Sequence, residues 1–443
     1  MRFLANIISK FFKSEEDRKR LYKIVIPSFI IHFFAAILAL TFMFIMTRSL
    51  GSKRYGLFTY SFSIVFIIVN LATYGICVLA VRETPSLLAK GKKALWKGLH
   101  KWSVKLLVLI SMAFALAVAT FITISTFYLH ILKETAYTIP LLLALLTVPF
   151  YGLMNYYASI LRGQQKIVLS LLPDNIVKPV IFLSSIGLIY AITRKFTLPD
   201  AILMNALSFA GAAVFAMVVF YKTTLLKDTV AEYDKPHWRN SLKPFFLFMI
   251  ITSINSRMDI LMLGFLKESS QVGIYSVADM IGSKVTLFLL IMNQVTAASI
   301  ARMHSMDEKE KLQDLVTKTS RWVFIITLPV FLFIVVFRKW IMAYFGADFD
   351  SGQTALLIIA SGQIINIAFG PVGNFALMTG NQRYPIIFTS INIVINLTLN
   401  LILTPTLGIN GTAIATTCAI VTWNTGMFLT IRKKTGIRTW IFG

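Results

Sequence analysis

Twelve stretches of about twenty apolar residues follow one another along this chain, each long enough to cross the hydrocarbon core of a bilayer. They cover residues 24–47, 57–81, 104–128, 137–161, 169–193, 199–220, 244–266, 272–300, 321–345, 353–379, 384–404 and 408–431. Lipid offers no partners to backbone N–H and C=O groups, so segments of this length must pair their own backbone as helices. The expected fold is therefore an all-α polytopic membrane protein with twelve transmembrane helices. Composition agrees. Charged residues make up 14% of the chain, against roughly 25% in an ordinary soluble domain, and mean hydropathy is +0.74. A soluble enzyme is excluded.

A net charge of +24 would in a soluble protein suggest nucleic acid, but its placement points to a membrane. With the N-terminus set in the cytoplasm, thirty lysines and arginines fall on inner segments and nine on outer loops. Anionic lipid and the membrane potential retain cations on the cytoplasmic face, so both termini are expected there, in a cell inner membrane. The basic run "KGKKALWKGLHKWSVK" is read as a solvated, lipid-facing loop, and nucleic acid is not an expected partner. The cations left inside spans are Lys105, which can snorkel from a span end, and the deeper Lys178, Arg257 and Lys284.

The chain also resembles itself. "YGLFTYS" after the first span is similar to "VGIYSVA" after the seventh, and "LRGQQKIVLSLLPDNIV" to "MTGNQRYPIIFTSINIV" without gaps. Gly56 pairs with Gly273, Gly163 with Gly380, Gln165 with Gln382 and Asn175 with Asn392, always 217 residues apart. Six spans per half is an even number, so the halves share an orientation. They are expected to form two six-helix lobes related by a pseudo-two-fold axis along the membrane normal, with a cavity between them. The N-terminal lobe is placed at 24–220, a polar interlobe linker at 221–243, the C-terminal lobe at 244–431 and a cytoplasmic tail at 432–443. Residues 1–23 carry Phe3, Leu4, Ile7, Ile8 and Phe11 on one helical face, as an amphipathic cytoplasmic segment at the membrane surface would.

An ionised group at the bilayer centre costs about 2.5–3.5 kcal/mol on insertion scales, so it normally faces water or a partner. Arg257 and Asp259, two residues apart, point to nearly opposite sides of one helix. Thr252, Ser253, Ser256 and Arg257 make one polar strip, read as the wall of a wet cavity. Asn255 and Asp259 lie on the other face, where a neighbouring helix can supply a cation or a donor, and Asp259 is read first as structural. Asp174 and Lys178, four apart with the acid first, fit an intrahelical ion pair. The flanking Pro173 and Pro179 loosen that helix, as around a transport site or hinge. In the eighth span Asp279, Ser283 and Thr286 share a face with Lys284 beside it, and Gly370, Pro371 and Gly373 mark a kink in the tenth.

Cys77 and Cys418 both fall inside spans, and the five histidines are scattered singly, so no disulfide or metal site is expected. No GxxxxGK[ST] run occurs to hold a nucleotide. No cofactor is expected. Coupling to Na⁺ or H⁺ stays open among Asp174, Asp259 and Asp279, since no spacing singles one out.

Two stretches carry a family resemblance. "RSLGSKRYGLF" (Arg48 to Phe58) and "NSRMDILMLGFLKESSQVGIYSVAD" (Asn255 to Asp279) look like the half signatures of lipid-linked oligosaccharide flippases, the polysaccharide or O-antigen type, in the multidrug/oligosaccharidyl-lipid/polysaccharide exporter superfamily. Ser52 and Lys53 depart from the commoner form, which has a proline and an acid there. The resemblance implies alternating-access transfer of an undecaprenyl-diphosphate-linked glycan across a bacterial inner membrane, with Arg48 and Arg257 as substrate cations and Asp259 as the acid of the same signature. Lys178 and Lys284 join the candidates because deep cations suit an anionic cargo. Membrane lipids and glycan-assembly proteins are the other expected partners, and a monomer the expected form. A cation-coupled multidrug exporter is the alternative, although residues 24–47 hold no acid for a cationic drug. A membrane-embedded glycan polymerase or ligase is another, although the outer connection near 345–353 is short for an active site.

Overall fold

The computed structural model describes residues 26–128, 137–224 and 230–443. The amphipathic face expected within 1–23 and the outer-loop Lys133 lie outside them. The described residues form helices and turns, with no strand among them. Eleven helical stretches are long and apolar enough to cross a membrane, and the first holds two of the twelve expected spans. This is α1, Ile26–Ala72, 47 residues without an intervening loop. Its kink is at Gly51, whose φ of 71° and ψ of 175° would strain any residue with a Cβ. At the repeat offset, 217 residues further on, Glu268 is also extended (φ −69°, ψ 156°) and separates α9, Lys235–Leu266, from α10, Ser269–Gly282. Both halves thus leave helical geometry at the corresponding position.

Other breaks were not expected. After Ala72 the chain turns through Tyr74 and Gly75, both at positive φ, before α2, Ile76–Ala89, so the second span is interrupted. The tenth span ends at Ala368 with α13, Gln353–Ala368; Gly370 (φ 68°) and Pro371 then turn the chain into the short α14, Val372–Met378. The kink read from Gly370, Pro371 and Gly373 is thus a full stop and restart.

The chain divides into two compact units, Ile30–Arg257 and Met258–Gly443, the latter with the first residues of α1 through Phe29. The first unit contains α2, α3 (Lys93–Thr123), α4 (Thr138–Ala144), α5 (Val148–Gly163), α6 (Ile167–Leu172), α7 (Lys178–Thr193) and α8 (Leu198–Thr223). α8 starts on a capping box in which Thr197 and Asp200 satisfy free N–H groups. Trp96, Tyr156, Phe220 and Trp238 are buried in one core cluster of this unit. Trp238 and Leu242 belong to the segment placed at 221–243 as a polar linker, and these two side chains enter the core while Lys235, Pro236, His237, Arg239 and Asn240 around them are exposed. Glu232 lies against Gly98 so closely that a Cβ there would meet its carbonyl.

The second unit holds α10, α11 (Leu287–Ser305), α12 (Lys309–Tyr344), α13, α14, α15 (Arg383–Leu407) and α16 (Ile409–Thr435). Its last residues fold back instead of leaving as a free tail. Gln313 exchanges two 2.8 Å bonds with the Arg438 backbone, the Ser320 hydroxyl donates to the Thr439 carbonyl at 2.7 Å, and Ile441 N–H donates to the Ala368 carbonyl at 3.1 Å. A Cβ on Gly370 would meet both the Ser320 hydroxyl and the Thr439 carbonyl. Gly370→Ala therefore adds a clash to a left-handed backbone penalty of about 1–2 kcal/mol. The substitution should lower the melting temperature of detergent-purified protein by several degrees, and an unchanged melting curve would mean that this turn does not hold the tail.

Candidate functional site

Within the Ile30–Arg257 unit, the strip on α9 that reads as wet is largely satisfied by its own helix. Thr252 donates to the Met249 carbonyl at 3.2 Å and Ser256 to the Ser253 carbonyl at 2.9 Å, the back-bonding open to hydroxyls in a helix. Arg257 has no such option. It lies nine residues from the end of α9 at Leu266, about 14 Å at 1.5 Å per residue. Its guanidinium packs over the Phe66 ring at 4.8 Å. Its Nε–H is buried without a hydrogen-bond partner among the described residues.

Phe66 begins a row of rings. It is 6.3 Å from Tyr151 on α5, which is 4.5 Å from Phe209 on α8. The Lys178 ammonium sits over the Phe209 ring at 4.8 Å and donates to the Asp174 carboxylate at 2.6 Å, the ion pair expected from their spacing. Tyr151 lies within electrostatic reach of both Asp174 and Arg257. Two deep cations thus rest on the two ends of one aromatic row. The acid is carried by a π-helical turn, Pro173–Val177, in which the Lys178 N–H reaches back to the Pro173 carbonyl. Pro179 lacks the N–H that would close an ordinary turn onto Asn175, and the backbone widens to compensate, as at many functional helix breaks.

Asp259 belongs to the other unit and takes donors rather than a cation. Asn396 Nδ2 donates to its Oδ1 at 2.9 Å and the Tyr275 hydroxyl to its Oδ2 at 3.3 Å. The network continues in two directions. Tyr275 contacts the Thr416 hydroxyl at 3.3 Å. Asn400 donates to Asn396 Oδ1 at 2.8 Å, Thr404 donates to Asn400 Oδ1 at 2.9 Å, and Thr404 meets Thr412 at 3.0 Å. Among the described residues Asp259 has no ion pair. Its partners are N–H and O–H donors, which stand around the carboxylate in place of a cation.

Asp279 and Lys284 lie within electrostatic reach of each other, and Asp279 also of Tyr275. Lys284 is half-buried in a 3₁₀ turn, Ser283–Thr286, that tightens the helix where a continuous α-helical face was expected. A cavity of about 510 Å³ opens beside this turn, with Thr286, Asn293 and Asn374 as its polar lining. Asn374 donates to the Asn293 carbonyl at 3.0 Å, while Asn293 Oδ1 is buried without a partner among the described residues. Arg48 is exposed three residues before the Gly51 kink, its guanidinium 5.7 Å from the Phe44 ring. The ring contacts that join Arg257 to Lys178 do not run through it.

The family profile described as "Polysaccharide biosynthesis protein" matches residues 21–304, nearly two thirds of the sequence. The chain belongs to this family. The MatE profile matches residues 244–402 of the chain. Two Haloferax volcanii proteins are similar to it in sequence. One, named "Probable low-salt glycan biosynthesis flippase Agl15", is 26% identical over 221 residues, 47% of this chain and 46% of that protein. The other, "Probable flippase AglR", is 24% identical over 184 residues, 40% of this chain and 37% of that protein. The chain thus aligns with less than half the length of each. In fold it is similar to an inward-facing multidrug resistance MATE family transporter of the MOP superfamily, with a TM-score of 0.71, 15% identity, and coverage of 90% of this chain and 98% of that one. It is also similar to the lipid II flippase MurJ, with a TM-score of 0.66, 17% identity, and coverage of 91% and 87%. A Pyrococcus furiosus MOP superfamily transporter gives 0.67 at 16% identity, covering 95% of this chain and 96% of that one. The all-α, two-lobe fold expected from the spans is that of these transporters.

Sequence reading named the charges and missed their supports. Phe66, Tyr151 and Phe209 carry no signal in apolar spans, where an aromatic is core by default. Asn396, Asn400 and Thr404 do: they recur every fourth residue along α15 and put one amide-hydroxyl stripe on one face of the helix.

Proposed function

We propose that this family member is a flippase that carries a polyprenyl-diphosphate-linked oligosaccharide, with undecaprenyl diphosphate as the carrier, from the cytoplasmic to the outer leaflet of a bacterial inner membrane by alternating access. It acts as a monomer, with both termini cytoplasmic, and serves surface polysaccharide assembly without altering a covalent bond. The observation that carries this reading is Arg257, a mid-span guanidinium whose buried Nε–H has no hydrogen-bond partner among the described residues. Such a group needs an acceptor, and a phosphate oxygen offers one in the fork geometry that arginine prefers. Lys178, on the same aromatic row, supplies the second positive charge. The names of the two Haloferax relatives support the flippase part of this reading. Asp259 is the proposed coupling group, binding a proton or Na⁺ within its neutral donors, and Asp279 with Lys284 a balancing pair.

The test is translocation in liposomes. Purified protein should move a fluorescent sugar on a short polyprenyl diphosphate into a leaflet open to an impermeant oxidant, and leave the same sugar on a neutral lipid in place. Recovery of an elongated or transferred glycan would instead make it a polymerase or ligase, and export of ethidium without glycan transfer would make it a drug exporter.

A further inference from the structure

The Lys178 cation is already occupied. It lies eleven residues into the span that begins at Ile167, about 16 Å along the helix and so near the bilayer midplane. Its side chain is 27% exposed and that of Asp174 is 53% exposed. A charge pair open to this extent at mid-depth cannot face hydrocarbon, so its open side faces water and whatever anion enters it. An exposed i,i+4 pair is among the weakest of ion pairs, and side-chain ordering offsets much of its attraction. A purely structural tie is therefore a poor account of two ionised groups at this depth.

The surrounding membrane poses a problem that the pair answers. Anionic phospholipids, each with one phosphodiester charge, far outnumber any lipid-linked glycan, and an uncovered lysine would be filled by them. We infer that Asp174 is a selectivity gate on Lys178, an internal carboxylate that yields the cation to a diphosphate ester and withholds it from monoanionic phospholipids. The inference rests on the diphosphate reading of the site. A monoanion at Lys178 meets the repulsion of Asp174 and gains nothing beyond what the carboxylate already supplies. A diphosphate brings a second charge, on which the positive field of Arg257, over Phe66 in the same row, acts as well, and this offsets the repulsion. The Phe209 ring, 4.8 Å from the ammonium, holds Lys178 in place whether or not Asp174 is engaged. Specificity here comes from a built-in repulsion as much as from attraction.

The experiment measures binding of a farnesyl diphosphate ester of N-acetylglucosamine in phosphatidylcholine nanodiscs, with short-chain phosphatidylglycerol as competitor. Wild type should bind the ester with little competition. In Asp174→Asn, phosphatidylglycerol should compete at roughly tenfold lower concentration, and adding Lys178→Gln should cancel that gain. The charge swap Asp174→Lys with Lys178→Asp keeps an ion pair but takes the cation off Phe209; it should lose the preference for the diphosphate, whereas a merely structural pair would leave it as in wild type. An unchanged preference in Asp174→Asn, or a wild-type preference in the swap, overturns the gate. Should Asp174→Asn fail to accumulate, the swap decides alone. If wild type binds the diphosphate ester no better than phosphatidylglycerol, the diphosphate reading itself falls and the gate with it.

Discussion

Arg257→Gln should reduce transfer of a diphosphate-linked glycan by roughly 10- to 100-fold while the protein accumulates in the membrane as before. The magnitude follows from one charge-assisted hydrogen bond, worth about 1.5–3 kcal/mol, with each 1.4 kcal/mol a factor of ten. Folding should survive because glutamine keeps an aliphatic stem against Phe66 and removes a buried N–H that lacks a partner among the described residues. The ring contact forfeits about 0.5–2 kcal/mol of cation–π attraction, offset by the removal of a deep charge. Arg257→Lys keeps the charge but neither the Nε donor nor the two-pronged geometry, and should fall between wild type and Arg257→Gln. Both variants are read by liposome translocation alongside a membrane immunoblot. Normal translocation by Arg257→Gln, or a loss traced entirely to degraded protein, would return this residue to a structural role.

What the sequence made legible, and what it did not, divides along physical lines. Spans follow from transfer free energy summed over twenty residues, so all twelve traverses can be placed from hydropathy. Their ends depend on single backbone angles. Gly51 alone parts the first two spans, and Tyr74 with Gly75 breaks the second where hydropathy shows nothing. The opposed faces of Arg257 and Asp259 follow from helical geometry alone, and the contacts agree, Phe66 for one and Asn396 for the other. The partners themselves are long-range, 191 and 137 residues away, and no local pattern encodes such a contact. The Asp174–Lys178 pair was legible because it is local. Its packing on Phe209 was not, for the same reason in reverse.

Asp259 separates a coupling role from a structural one most sharply through the contrast between two substitutions. As a carboxylate it accepts from Asn396 on Oδ1 and from Tyr275 on Oδ2. Asparagine at 259 can keep the first bond with its own Oδ1. Its Nδ2 can donate to the Tyr275 hydroxyl, which then turns its proton to Thr416, 3.3 Å away. Every group stays paired, so Asp259→Asn should melt within a few degrees of wild type. Asp259→Ala leaves the Asn396 amide without its acceptor inside the bundle, a loss of about 1–3 kcal/mol, and should lower both melting temperature and yield. Asn396→Leu should do the same by baring Asp259, while Asn400 keeps the residue 396 carbonyl as its acceptor. The sequence reading made Asp259 structural first and expected Asp259→Asn mainly to lower folded yield; with its bonds intact, a purely structural Asp259→Asn would transport like wild type. Coupling requires a site that changes charge, which asparagine cannot do. Asp259→Asn should therefore fold normally yet lose the dependence of transport on a Na⁺ or pH gradient, measured in liposomes with each gradient imposed in turn. A fully gradient-dependent Asp259→Asn would remove Asp259 from coupling and leave its oxygens as fasteners between α9, α10 and α15.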